Sequence, residues 1–283
     1  MPKSAKAKAT EHVPPPLPEP LAVPVADAHT HLDMQQGTVE EALAKATAVG
    51  VPRLVQIGCD VARAHWAVKV AAEHPEAIWA AVALHPNEAP RIETEEGQGA
   101  LDAALAEIAE LAKAPQVRAI GETGLDYYRT GPDGVAAQQR SFRAHLRLAK
   151  ELDKALVIHD RDAHADVLRI LKEEGAPRRT VFHCYSGDAA MAETCAAEGY
   201  FMSFAGNVTF ASAQPLRDAL AVAPPELLLV ETDAPFLTPA PFRGRPNAPY
   251  LIPVTLRAMA EVKGMDEAEL GRHVAANTER AFG

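Results

Sequence analysis

The 283-residue sequence has only three cysteines, Cys59, Cys184 and Cys195, and no CxxC spacing. An odd, scattered set does not form a disulfide framework, so we expect a reduced, cytoplasmic protein. No apolar run reaches the roughly 18 residues that a membrane helix needs. We therefore also predict no membrane-spanning segment and no membrane partner.

Positive charge is in short supply as well. The net charge is −10 at pH 7, from 28 Lys and Arg against 38 Asp and Glu. A chain of this sign has no overall attraction to nucleic acid or to an anionic membrane. Local positive charge or metal ions would have to hold a polyanionic substrate.

Two kinds of chemical motif are missing. Neither GxGxxG nor GxxxxGK[ST] occurs, so the sequence has no glycine-rich phosphate loop of these types. No Ser-His-Asp arrangement is evident, and the adjacent pair His183 and Cys184 has no third residue nearby to orient it. The sequence thus gives no indication of an activated side-chain nucleophile.

The first residues differ in composition from the rest. Residues 1–10 are rich in Lys and Ala, and residues 13–24 are rich in Pro, without the apolar segment of a secretory signal. Such composition is typical of disorder. We therefore predict a disordered tail over residues 1–22 and one folded domain over residues 23–283.

Beyond the tail, short apolar runs alternate with helical patterns, beginning with a strand predicted over residues 21–26. Continuous apolar runs are typical of strands in a buried parallel sheet. Eight strand–helix units in about 260 residues match a (β/α)8 TIM barrel. A doubly wound open sheet is the alternative, and the missing phosphate loop argues against it. The acidic stretch 93–96 is expected to be a loop.

Histidines and carboxylates cluster where the predicted strands end. His29 and His31 are two residues apart, so on a strand they point to the same side. The carboxyl ends of barrel strands meet on one face. Grouping imidazoles and carboxylates there is costly unless they pair or bind metal. The residues concerned are His29, His31, His85, Glu122, His159, His183 and Asp233.

The ligand types predict hydrolytic chemistry. All of these residues except His85 are candidate ligands, and six exceed what one tetrahedral ion needs. With a bridging carboxylate they could hold two divalent ions roughly 3.5–4 Å apart, which suits phosphodiester hydrolysis. Nitrogen-rich ligation suits Zn²⁺ or Mn²⁺, whereas phosphoryl chemistry often uses Mg²⁺. The sequence therefore does not distinguish among these three ions.

Eight stretches resemble the TatD family of metal-dependent deoxyribonucleases, within the amidohydrolase-like barrels. They occur in the family's order and the match runs from residue 24 to the end. The stretches are DAHTHLD at 27–33, LHP at 84–86, GETGLDY at 121–127, IHDRDA at 158–163, HCYSG at 183–187, ETDAPFLTP at 231–239, RGRPNAP at 243–249 and NTER at 277–280. Asp160 departs from the pattern, because the family commonly has a hydroxyl residue there.

The resemblance implies roles for individual residues. One ion would be held by His29, His31, Glu122 and Asp233, and the other by Glu122, as a bridge, with His159 and His183. Glu122 and Asp233 would be the catalytic residues, with Asp233 orienting or deprotonating the attacking water.

Loop residues after the strands are candidates to hold the substrate. Arg pairs bidentately with phosphate, and aromatic residues interleaved with Arg grip single strands without reading sequence. We predict substrate contacts from His85, Arg161, Arg243 and Arg245. In the sequence, Tyr127 and Tyr128 precede a further loop arginine, Arg129, and Phe236 and Phe242 lie near Arg243 and Arg245.

The predicted function is that of a monomeric exodeoxyribonuclease acting on single-stranded or frayed DNA and contacting the phosphate backbone rather than a base sequence. One alternative is a hydrolase of a small ester, amide or lactone, or an aminoacyl-tRNA deacylase, in the same barrel class. Another is a non-catalytic barrel that binds nucleic acid or a partner. A non-catalytic barrel would have lost some of the metal ligands, whereas the ligand set here is complete.

Overall fold

An eight-stranded parallel sheet, whose strands lie side by side in chain order, dominates the computed structural model, which describes residues 13–283. The strands are β1 (Ala26–Thr30), β2 (Arg53–Gly58), β3 (Ile78–Val82), β4 (Val117–Asp126), β5 (Ala155–Arg161), β6 (Thr180–Phe182), β7 (Phe201–Phe204) and β8 (Leu228–Val230). A parallel bridge between Thr30 and Ala234 joins β1 to the segment after β8. The predicted (β/α)8 barrel is confirmed.

Helices alternate with these strands. They are α1 (Val39–Ala48), α2 (Val61–Glu73), α3 (Glu88–Glu96), α4 (Gln98–Leu111), α5 (Val135–Glu151), α6 (His164–Glu174), α7 (Ala189–Ala197), α8 (Gln214–Val222), α9 (Ile252–Lys263) and α10 (Glu267–Phe282). Thr38 is the N-cap of α1, where its hydroxyl accepts from the Glu41 amide in a capping box. Over residues 13–283, no helix is both long and apolar enough to span a bilayer.

The strands carry the core. Every residue of β1, β3, β6, β7 and β8 is buried, since one face of each strand fills the barrel and the other lies beneath the helices. The continuous apolar runs of the sequence reflect this burial on both faces. The barrel thus fixes the strand ends as a rigid rim for the residues that follow them.

Two local predictions need correction. The first strand spans Ala26–Thr30 rather than residues 21–26, so His29 lies within it. The acidic stretch 93–96 belongs to helix α3 rather than to a loop. Arg91 pairs with Glu88 and Glu95 at 2.7 and 2.8 Å, and such pairs one turn apart support a helix that lacks a strong apolar pattern.

The predicted tail boundary at residue 22 also needs correction. Residues 1–12 lie outside the described residues, but residues 13–22 lie against the barrel. Arg245 donates through Nε to the carbonyl of Val13 at 2.8 Å, and the Tyr250 hydroxyl donates to the carbonyl of Pro15 at 2.8 Å. Proline-rich backbone offers carbonyls without competing amides, so polar side chains of the barrel can fasten it despite its lack of apolar periodicity.

Removing residues 1–20 should therefore lower the melting temperature. Arg257 also donates to the carbonyl of Glu19 at 2.9 Å, and all of these contacts would be lost. A loss of about 2 kcal/mol corresponds to a drop of roughly 4–8 °C. Removal of residues 1–12 alone is the control, because it keeps every one of these contacts. Equal melting temperatures for the two truncations, measured by calorimetry, would contradict a stabilising role for residues 13–20.

Candidate metal centre

Glu122, on the carboxyl half of β4, lies at the centre of the site, and its two carboxylate oxygens face different neighbours. Its Oε1 lies 2.7 Å from His159 Nδ1 and 3.0 Å from His183 Nε2. Its Oε2 lies 3.5 Å from His29 Nε2 and 3.8 Å from Cys59 Sγ. One carboxylate therefore stands between two groups of potential ligands, as a bridging residue would.

The group on the Oε2 side consists of His29, His31 and Asp233. The Oδ1 atom of Asp233 lies 3.5 Å from His31 Nε2 and 3.8 Å from His29 Nε2. His29 is fully buried, and neither of its ring nitrogens has a hydrogen-bond partner in the described part of the chain. Burial lowers the pKa of His29 to about 3, which leaves the imidazole neutral with a free lone pair. A neutral, orphaned imidazole beside carboxylates fits a metal ligand.

The group on the Oε1 side contains His159 and His183, and a second carboxylate lies close to each of them. Asp126 Oδ2 lies 3.3 Å from His159 Nε2, and Glu231 Oε1 lies 2.9 Å from His183 Nδ1. Such partners fix the orientation of a histidine that binds a metal. Glu231 is itself fixed, since it accepts the Cys184 amide at 2.8 Å.

The electrostatics of this second group favour a cation. Burial opposes protonation of His159, but Asp126 and Glu122 outweigh it and raise its pKa to about 9. Burial likewise opposes protonation of His183, yet Glu231 and Glu122 raise its pKa well above the ordinary value. The buried carboxylates therefore stabilise positive charge at this position, and a bound divalent ion would also supply positive charge there.

Close packing brings the ligand-bearing strands together. A Cβ atom on Gly124, whose φ is +136°, would overlap the carbonyl of His159, so glycine lets β4 approach β5 beside Glu122. The buried Asp27 accepts the amides of His29 at 3.2 Å and Thr232 at 2.9 Å. These contacts tie β1 to the segment after β8 and set His29 opposite Asp233.

His85 lies at the edge of the second group. Its Nε2 atom is 3.6 Å from Glu122 Oε1. The buried His145 supports the preceding backbone, because its Nε2 accepts the Leu84 amide at 3.1 Å while its Nδ1 contacts the Ser141 carbonyl at 2.8 Å. His85 is thus held where it faces the cavity and the bridging carboxylate.

A cavity of about 690 Å³ opens over the metal centre, and the predicted substrate residues divide around it. His85 and Arg161 line the cavity, whereas Arg243 and Arg245 are not among the described residues that line it. Arg243 lies over the ring of Phe210 at 4.0 Å, and Arg245 holds the carbonyls of residues 13 and 14. The structure therefore brings only two of these four residues to the site.

Several residues of the site received no role in the sequence analysis, among them Cys59, Asp126, Asn207 and Glu231. Asp126 and Glu231 lie within the matched stretches GETGLDY and ETDAPFLTP, so the motifs contained the signal. Their contacts with histidines cross 33 and 48 positions of the chain (159 − 126 and 231 − 183), which strand periodicity does not encode.

Comparison with known proteins supports the family resemblance noted in the motifs. Residues 26–283 match the family model described as TatD related DNase. A protein of Mycobacterium tuberculosis named uncharacterized metal-dependent hydrolase TatD is 43% identical over 267 residues, covering 92% of this chain and 98% of that protein. The Erwinia tasmaniensis protein named 3′-5′ ssDNA/RNA exonuclease TatD is 34% identical over 250 residues, covering 86% and 93%.

Solved structures agree as well. The crystal structure of YJJV, a TatD homologue from Escherichia coli K12, has a TM-score of 0.82 at 28% identity, covering 91% of this chain and 97% of that one. The family matches and this barrel together confirm the resemblance noted in the motifs. The chain belongs to the TatD-related DNase family and is a metal-dependent hydrolase.

Proposed function

We propose that this hydrolase is an exonuclease that cleaves phosphodiester bonds at the end of single-stranded or frayed DNA. The observation that carries the proposal is the position of Glu122, whose two oxygens face two separate ligand groups. We assign one divalent ion to His29, His31, Glu122 and Asp233 and a second to Glu122, His159 and His183. When bound, such a pair lowers the pKa of a water molecule and neutralises charge on the attacking and leaving oxygens.

The two carboxylates have different tasks. Burial opposes ionisation of Glu122, but His183 and His85 outweigh it and hold its pKa well below the usual range. Glu122 is therefore a permanently charged bridge. Asp233 reaches the cavity, with its side chain 15% exposed, so it can orient the attacking water and take its proton.

Exposed aromatic residues and arginine at the cavity suit a nucleic-acid end. The guanidinium of Arg161 lies 3.9 Å over the ring of Tyr128, which is 65% exposed, and Phe236 at the cavity is 49% exposed. Bases stack on such rings while Arg binds phosphate. The relative named as an ssDNA/RNA exonuclease supports this substrate class. Substrate contacts of Arg243 and Arg245 stay predictions, and Arg245 would have to release residues 13 and 14 to make them.

Replacing Arg161 by Ala should raise KM for an oligonucleotide about tenfold or more and change kcat little, because a phosphate contact made equally in ground and transition states is lost. The salt dependence of binding should flatten by a slope of roughly 0.7 for one single-strand phosphate contact. Arg147→Ala on the outer helix α5 is the control, since that side chain pairs with Glu174 away from the cavity. Unchanged binding of Arg161→Ala at every salt concentration would remove Arg161 from the substrate site.

A second candidate is hydrolysis of a small ester or amide, or deacylation of an aminoacyl-tRNA. The cavity volume favours it, because about 690 Å³ falls within the range of roughly 300–1,000 Å³ typical of small-molecule sites. The two activities differ in the atom that water attacks, which is phosphorus in one and a carbonyl carbon in the other, and they would use the same metal ligands. Only a substrate comparison therefore separates them.

The test is a substrate panel with metal removal. Protein dialysed against EDTA should lose activity and regain it with Mg²⁺ or Mn²⁺, and the restored protein should shorten end-labelled single-stranded DNA faster than blunt duplex DNA. RNA, an aminoacyl-tRNA and a small ester complete the panel. Full phosphodiesterase activity in excess EDTA, or turnover of the acyl substrates with oligonucleotides left intact, would overturn the nuclease proposal.

A further inference from the structure

We propose that the single strand crosses the metal centre in a fixed direction. Its terminal base packs against Met34 and Phe236, and the phosphates that follow bind two arginines on the opposite side, Arg129 and Arg161. The inference rests on the exonuclease function proposed above and deepens it. It gives a substrate role to Arg129 and Met34 and assigns Phe236 to the terminal base alone.

The cavity over the metal centre has two unlike sides. Arg161 ends β5 and Arg129 lies just after β4, whereas Met34 lies just after β1 and Phe236 just after β8. All four residues line the cavity. The strands follow one another in chain order around the barrel, so β4 and β5 lie across from β8 and β1. The cationic side (Arg129 and Arg161) therefore faces the apolar side (Met34 and Phe236) across the metal centre.

The positive charge of the cationic side is available to a ligand. Neither Arg129, which is exposed, nor Arg161 forms an ion pair with any residue in the described range 13–283. Arg161 instead lies 3.9 Å over the exposed ring of Tyr128. The neighbouring carboxylates that line the cavity have other partners: Glu88 pairs with Arg91 at 2.7 Å, Asp126 with His159 at 3.3 Å and Asp160 with His164 at 2.7 Å. Two arginines in this state suit the phosphates of a strand.

The loop that carries Arg129 is fixed relative to the metal centre. The amide of Arg129 donates to Asp126 Oδ1 at 2.9 Å, and the other oxygen of this carboxylate contacts His159. A phosphate bound to Arg129 would thus lie at a set position relative to the Oε1 side of Glu122.

Arg63 also lines the cavity, but its charge is already balanced. It lies on α2, and its Nε atom is 3.3 Å from Asp33 Oδ2 and 3.6 Å from Asp60 Oδ2. A polyanion gains little from an arginine that stands between two carboxylates. The cavity therefore attracts the charged part of a strand toward β4 and β5 rather than toward β2.

The end of a strand has a matching asymmetry. The terminal base has no further phosphate beyond it, whereas every following nucleotide adds one negative charge. The side chains of Phe236 and Met34 are 49% and 37% exposed, and the Phe236 ring lies 6.3 Å from the ring of His31. A ring and a thioether suit a base. This placement brings the base to the apolar side and the phosphates to the cationic side.

The experiment measures KM on strands in which one charged linkage is replaced by an uncharged methylphosphonate. The replacement stands at the second or the third linkage from the cleaved end, so the scissile phosphate is unchanged. At one of these positions the wild-type KM should rise at least about tenfold, because a charge-assisted contact is lost. Arg129→Gln should have a raised KM on the unmodified strand and show at most about a twofold further rise on the modified one.

Arg63→Gln is the matched variant, because it removes the same charge from another arginine that lines the cavity. It should keep the full wild-type sensitivity to the methylphosphonate. Melting temperatures of both variants check that each one folds. If Arg63→Gln loses this sensitivity and Arg129→Gln keeps it, the strand lies on the β2 side and the proposed direction is overturned.

Phe236→Ala tests the terminal base. This variant should raise KM at least about fivefold on an intact strand, because base stacking is lost. The increase should vanish when the terminal nucleotide is abasic and remain when only the second nucleotide is abasic. The reverse pattern would place the second base, rather than the terminal one, on Phe236 and overturn the assignment.

Wild-type rates on the unmodified strand separate this inference from the exonuclease proposal. Shortening of that strand with equal methylphosphonate effects in wild type, Arg129→Gln and Arg63→Gln would reject the placement and leave the exonuclease standing. An enzyme that leaves every strand intact while it hydrolyses an acyl substrate would overturn both.

Discussion

Replacing Glu122 by Gln is expected to lower kcat at least about a thousandfold, because the change removes the one charge shared by both ligand groups. The amide keeps the size of the side chain, but its neutral oxygen no longer balances an ion beside His29 or beside His159 and His183. The metal ions would contribute several kcal/mol of transition-state stabilisation, and each 1.36 kcal/mol lost lowers the rate about tenfold. Steady-state rates on an end-labelled oligonucleotide measure the effect.

Metal content should fall together with the rate in this variant. Elemental analysis of Glu122→Gln should find less than the wild-type amount of bound ion, since both positions lose a ligand. Glu110→Gln is the matched control, because Glu110 is an exposed residue of α4 that pairs only with Lys113 among the contacts described here. Wild-type stoichiometry together with wild-type kcat in Glu122→Gln would show that this carboxylate is not a bridge.

Replacing Asp233 by Asn should lower kcat at least about a hundredfold while oligonucleotide affinity is largely kept at saturating metal. General-base help is typically worth about 10²–10⁴-fold, and the amide cannot take a proton from water. The backbone should tolerate the change, since Asp233 has φ +51° and Asn adopts this left-handed region as readily as Asp. Rates and binding are measured on the same preparations.

Asp162 provides the matched control for this variant. It has φ +56°, is exposed in the loop after β5, and is not among the residues that line the cavity. Asp162→Asn makes the same chemical change in the same backbone conformation and should leave kcat unchanged. If Asp233→Asn instead keeps its rate and loses oligonucleotide affinity, Asp233 binds substrate and does not activate water.

The sequence predicted the barrel and its rim because both depend on local patterns. Apolar runs identify buried strands, and parallel strands in a barrel bring their carboxyl ends together, so the sequence alone was enough to group His29, His159 and Asp233. The capping box of Thr38 and Glu41 at the start of α1 likewise depends on residues that are local in sequence.

Contacts between distant segments could not be predicted in this way. The pairing of Glu231 with His183 depends on the register between β6 and the end of β8, which no single strand pattern reveals. Arg245 was predicted to contact substrate because loop arginines often bind anions. In the structure it instead donates to the carbonyls of Val13 and Pro14. Proline-rich residues 13–22 lack an apolar face, so no sequence pattern predicts which barrel side chains form hydrogen bonds with their carbonyls.

Anomalous diffraction from crystals loaded with Mn²⁺ tests the two-ion site most directly. Two peaks roughly 3.5–4 Å apart are expected on opposite sides of the Glu122 carboxylate. One should lie among His29, His31 and Asp233, and the other beside His159 and His183. A single peak at saturating Mn²⁺, or two peaks that do not share Glu122, would contradict the bridging role on which the proposed nuclease mechanism depends.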